Sequence, residues 1–194
     1  MKNVFKTLRN VAAIALILFA TSCTFNPKGQ TYYFNQYLVE DSSGATVASI
    51  TANSLTELKV TPDGSSLGIT IEKQSDGSYK VTDHDNGATA TTLTAEQAKS
   101  SEYAAYIDFL SLTMSFGGSD VQITSANTGT STGTYTSDDD TITVKTTSKA
   151  ISKDGSSKTI NFAVQWDGDV LHSSDSITKN GASYTEHWNF VTSF

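Results

Sequence analysis

The feature that most constrains this chain is an alternation of apolar and polar residues with a period of two, broken again and again by turn dipeptides. KTINFAVQW (158–166) is the clearest case. Ile160, Phe162, Val164 and Trp166 fall on one face, Thr159, Asn161, Ala163 and Gln165 on the other. Asp167-Gly168 follows, and Val170 and Leu171 restart the pattern, which reads as a hairpin. TITVKT repeats the pattern with Ile142 and Val144, after a turn at Asp138-Asp139-Asp140. LGITIEK does so with Leu67, Ile69 and Ile71, and Asp76-Gly77 turns it into SYKVT. LTMSF (Leu112, Met114, Phe116) meets Val121 and Ile123 across Gly117-Gly118, and SYTEHWNFV groups Tyr184, Glu186, Trp188 and Phe190. A helix cannot bury such a face, whereas antiparallel strands wetted on one side bury it directly.

One segment breaks the series. Thr94 and Gln97 have capping-box spacing, and Tyr103, Tyr106, Ile107 and Leu110 form one stripe, so a single helix is expected near 95–110. Its expected place is over one end or open side of the sheet. Short strands joined in order by tight turns leave two architectures, a closed antiparallel meander β-barrel or a β-sandwich. The scarcity of long crossovers favours the barrel. At 194 residues one β-rich domain is expected, over 31–194.

The amino terminus follows different rules. MKNVFKTLRN carries Lys2, Lys6 and Arg9 and no acid, and VAAIALILFA (11–20) is apolar on every side. That run is too short to span a bilayer, which takes about 20 residues. Basic start, apolar run and the small residues Thr21 and Ser22 match a secretory signal over 1–22. The only cysteine of the chain, Cys23, stands directly after it. Ala20-Thr21-Ser22-Cys23 resembles the lipobox of bacterial lipoproteins, with Ala20 where that family usually carries Leu. The resemblance implies that the Cys23 thiol carries a diacylglyceryl group and that cleavage falls just before it. It also implies a membrane partner through the lipid anchor and a place in the bacterial cell envelope, at the outer membrane. Residues 23–30 then read as a tether. Removing residues 1–22, with three basic and no acidic side chains, takes the net charge from −7 to −10. That charge argues against nucleic acid and against flat docking on anionic lipid.

The order GTYTSDDDTITV, then INFAVQWDGDVL, over residues 133–171, is similar to the repeats of bacterial lipocalin-like lipoproteins. The Gly-x-Trp of classical lipocalin first strands is replaced by TYYFNQYLV (31–39). Other motifs carry less. GSSLG (64–68) matches a nucleophile elbow in letters, but Pro62-Asp63-Gly64 turns before it and a strand follows, so Ser66 is expected in a hairpin loop. His84, His172 and His187 are not spaced as metal ligands, His187 alternates to the solvated face, and acidic DHDNG (83–87) is turn chemistry. No metal, cofactor or catalytic constellation is expected.

The strongest functional expectation is a small, largely apolar ligand inside the barrel. Trp166, Tyr184 and Trp188 would line one wall, and Glu186 would supply the polar contact, although these aromatics could equally fill a solid core. A buried carboxylate costs several kcal/mol unless paired or hydrated. The milder expectation is therefore that Glu186 reaches water at the barrel mouth. The rival class is a structural or interaction lipoprotein, adhesin-like or glycan-contacting, without a ligand cavity.

Overall fold

The computed structural model describes residues 25–64 and 66–194; residues 1–22, expected to be a signal, and Cys23 lie outside the described residues. Strand β1 (Thr31–Asp41) opens the domain. Five short strands follow: β2 (Thr46–Ser54), β3 (Glu57–Thr61), β4 (Ile69–Lys73), β5 (Tyr79–Asp83) and β6 (Thr89–Leu93). Helices α1 (Ala95–Ser100) and α2 (Ala104–Leu110) come next. The chain continues through β7 (Thr113–Phe116), β8 (Asp120–Ser125), β9 (Gly129–Asp138) and β10 (Thr141–Thr146). Short helix α3 (Lys149–Ser152) leads to β11 (Lys158–Gln165), β12 (Val170–Lys179) and β13 (Ala182–Val191).

Strands β7 to β13 pair in sequence order, and β1 pairs with both β7 and β13, closing an eight-stranded antiparallel barrel. Closure satisfies backbone groups that an open edge would leave bare. The remaining strands form a wing, β2 to β6, that grows from the same β1. One irregularity makes this double use of β1 possible. Its register with β13 slips between Phe34 and Gln36. Before the slip Thr31–Tyr33 pair with β7; after it Gln36–Glu40 pair with β2. A bulge bends its strand, so the second half of β1 leaves β7 and takes up a new neighbour.

The alternation read from the sequence sets the interior. On β13, Glu186, Trp188 and Phe190 are buried and Tyr184 half-buried, opposite Val39, Tyr37 and Phe34 of β1. Ile142, Val144, Ile160 and Phe162 are fully buried as their faces require. The single helix expected over 95–110 is two. Thr94 and Gln97 do form the capping box, with Gln97 N–H donating to Thr94 Oγ1 at 3.2 Å and Thr94 N–H to Gln97 Oε1 at 2.9 Å. The helix stops because Ser101 turns its hydroxyl back onto the Ala98 carbonyl, 2.9 Å away. Helix α2 then carries Phe109 into the barrel, 4.9 Å from the Phe34 ring and 5.9 Å from Trp188.

Three further expectations are corrected. Leu67 is not on a strand face; β4 starts at Ile69 and Leu67 is exposed in the β3–β4 loop, which also holds Ser66. Residues 25–30 are not a free tether. Phe25 packs on the core, its N–H donates to the Asp139 carbonyl at 3.2 Å, and Pro27 is buried.

The third correction concerns Trp166. Alternation from Ile160 puts it inside, yet it is 79% exposed. Strand β11 ends at Gln165, and Trp166 and Asp167 take left-handed φ of 52° and 54° in a short 3-10 turn. For a bulky side chain that conformation is costly, on the order of 1 kcal/mol or more. Other groups hold the turn in place. Phe25 lies against Gly168, whose φ of 99° and missing Cβ leave room for the ring. Tyr32 Oη donates to the Gly168 carbonyl at 2.6 Å. Phe25 and Tyr32 fill this end of the barrel, and the indole is turned out.

Candidate functional site

The barrel is solid at its centre. Phe34, Tyr37, Phe109, Phe162, Trp188 and Phe190 form one aromatic cluster, with Tyr37 and Trp188 centroids 4.7 Å apart and Phe162 and Phe190 5.8 Å apart. Towards the β12–β13 turn the packing opens into a cleft of about 700 Å³. The second half of β1, β2 and β3 form one wall (Val39, Ile50, Val60). Ile177 and Tyr184 come from the β12–β13 hairpin, and Tyr106 and Ile151 from the helices. Pro62, Lys153, Lys179 and Asn180 are exposed at its rim.

At the floor sits Glu186, only 6% exposed. Its Oε1 pairs with Lys158 Nζ, and its Oε2 accepts from Tyr37 Oη at 3.0 Å. The expectation that Glu186 reaches water at the mouth is therefore corrected: protein groups satisfy it. Lys158 can reach it because β11 pairs with β12 only at Ala163–Gln165, so the first part of β11 stands away from β12. The ammonium also lies 5.4 Å from the Trp188 ring centroid, a cation–π contact. Burial by itself would raise the Glu186 carboxyl. The Lys158 hydrogen bond, the nearby Trp188 indole N–H, the Lys158 charge and Tyr37 outweigh it, so the pKa lies below the usual glutamate value. Tyr37 moves the other way, pushed up by burial first and then by the Glu186 charge.

More polar atoms gather beside this pair. Asp175 faces Glu186 and Ser173 faces Trp188 across the β12–β13 ladder. Directly opposed side chains on one face lie about 5 Å apart at Cβ. Asp175 Oδ2, Ser173 Oγ and Trp188 Nε1 are all buried without a hydrogen bond of good geometry. Glu186 and Lys158 thus form one ion pair at the inner end of the cleft, with the Asp175 carboxylate beside it on β12.

Of the residues expected to bind a ligand, Tyr184 and Glu186 line this cleft. Trp188 lies in the packed centre behind the floor, and Trp166 sits at the opposite end of the barrel, away from any wall of it. Lys158, Tyr37 and Asp175 were missed. Lys158 opens a strand and reads as a surface residue in sequence; only the parting of β11 from β12 aims it inward. His187 does alternate outward, where Nε2 meets Glu40 Oε2 at 3.1 Å and the ring stacks on His172, centroids 5.8 Å apart. No protein-family model matches the chain, and no curated protein matches its sequence.

Proposed function

We propose that this is a lipid-anchored protein of the bacterial cell envelope whose barrel holds a small amphiphile in the cleft. The anchor rests on the signal-like residues 1–22 and on the lipobox-like Cys23. The binding reading rests on one observation above all: the buried Glu186 carboxylate, held by Lys158 and Tyr37 at the floor of the cleft. Small-molecule sites are typically about 300–1,000 Å³, largely apolar, with a few converging polar groups that set orientation. This cleft has that volume, with apolar side chains on its walls (Val39, Ile50, Val60, Ile177) and polar groups at its floor and rim.

The two Glu186 oxygens are acceptors at the cleft floor, held by Lys158 and Tyr37. They favour a head group that donates hydrogen bonds, a hydroxyl or an amine, with the apolar tail against Val39, Ile50 and Ile177. Titrating Cys23→Ser protein with fatty amines, fatty alcohols and fatty acids tests this. A Trp166→Phe background leaves Trp188 as the reporter, coupled to the floor through Lys158. Saturable emission changes with amine or alcohol heads are expected, weaker with carboxylates. Tyr184→Ala should weaken them by about 1–2 kcal/mol, roughly 10-fold. A folded protein giving no saturable change with any of these probes overturns the reading.

A further inference from the structure

We infer that the end of the barrel carrying Trp166 rests directly on a zwitterionic lipid surface, with the ligand cleft facing away from it. The inference depends on the lipid anchor proposed above and adds the orientation that the fold gives to it.

Residues 25–30 are docked rather than loose, so almost no tether separates barrel and anchor. Phe25 is fixed by the Asp139 carbonyl and by the Gly168 turn. Consecutive Cα atoms are 3.8 Å apart, so Cys23 begins within about 7 Å of Phe25. Any acyl chains on Cys23 therefore enter the bilayer beside the Trp166–Gly168 turn. An anchor this short brings the nearest protein surface to the head groups.

That surface is apolar where it would touch. Among the described residues the exposed large apolar side chains are Trp166, Leu67, Leu55 and Phe194. Two of these lie at the anchor end. Trp166 is in the turn against Phe25. Phe194 follows Thr192, whose N–H donates to the Asp169 carbonyl at 3.0 Å. Indole is the side chain best suited to the interface between head groups and hydrocarbon. Here it is held outward by a left-handed backbone that the surrounding contacts impose.

Charge chooses the lipid. Asp138, Asp139, Asp140, Asp167 and Asp169 are exposed at the same end. They disfavour an anionic surface and leave a zwitterionic one as the fitting partner. The cleft lies at the far end: β1 runs from Thr31 near the anchor to Asp41 near the β12–β13 turn, and the rim residues Lys179 and Asn180 belong to that turn. A ligand would enter from the aqueous side.

The test uses the acylated mature protein, from Cys23 onward, reconstituted in phosphatidylcholine vesicles, with and without bromine on the lipid tails. Bromine quenches only indoles that enter the interface. Wild-type emission should shift to the blue on binding and fall with brominated lipid. Both effects should vanish in Trp166→Phe, which keeps the buried Trp188. Protein that floats with the vesicles but gives equal quenching in wild type and Trp166→Phe, or none in either, overturns the orientation alone. Protein that carries no lipid by intact mass and stays off the vesicles overturns the orientation together with the anchor.

Discussion

Strand β13 presents one face to two different environments. At the end nearer Phe25, Phe190 and Trp188 are almost wholly buried among Phe34, Phe109 and Phe162. Two residues further along the same face, Glu186 is buried too, but with an ammonium and a phenol; at Tyr184 the face opens into the cleft. Pattern is the same in both halves, so pattern does not make the difference. What changes is the neighbour. The half nearer Phe25 is closed by β7 and by Phe109 from α2, whereas beyond the bulge β1 turns to β2 and the walls spread. A closed wall leaves room only for a jigsaw of rings, and a spread wall leaves a cleft.

The largest effect should come from breaking the packed half. Phe162→Ala removes a fully buried ring packed on Phe190 and should destabilise by ~3–5 kcal/mol in denaturant titrations, with little repacking from the cleft side. A loss below 1 kcal/mol would show that the centre is not solid.

Next comes the floor. Lys158→Met leaves Glu186 buried with Tyr37 alone, at an expected ~2 kcal/mol near neutral pH. The pH dependence should change sign as well. In wild type the folded carboxyl titrates below its unfolded value of about 4.3, so its contribution is complete above that pH and is lost as pH falls through the lower, folded value. In Lys158→Met burial dominates and the carboxyl is pushed up, so the penalty at neutral pH should be relieved by acid. Stability curves for the two proteins at pH 3 to 8 check this; parallel curves would mean the pair is not coupled.

Tyr37→Phe is milder, about 1 kcal/mol, since it removes one hydrogen bond to Glu186 and leaves the ring stacked on the cluster. It should lower amphiphile affinity in the same titrations that report on Trp188. Trp166→Ser should be the smallest, within about 0.5 kcal/mol, because the side chain is exposed. Iodide should quench the wild-type protein in part and the Trp166→Ser protein hardly at all.

The amount legible in advance differs between elements. The face of β13 could be read because the seven residues Tyr184–Phe190 alternate without interruption and each pairs in register with β12. The β9–β10 hairpin with its Asp138–Asp140 turn, and the capping box at Thr94, could be read because both are local: the residues that specify them are the residues that form them. Trp166 could not be read. Its alternation is intact, and what reverses it is Phe25, some 140 positions away in sequence, lying against Gly168. The break between α1 and α2 was likewise hidden, since the stripe of Tyr103, Tyr106, Ile107 and Leu110 continues across it.

Legible in the sequence were the antiparallel strands β4, β5, β7, β8, β10, β11 and β13, the apolar face of most of their residues, and the alternation that sets Glu186 beside Trp188 on β13. These follow from side-chain period and turn chemistry, which act over a few residues. Only the tertiary structure decided that β1 serves both barrel and wing, that Lys158 meets Glu186, and that the centre is filled while the far end is open. Each of those depends on where a bulge or a parted strand pair puts residues distant in sequence. No local period encodes such meetings, because they arise from closing the barrel and packing one helix into it.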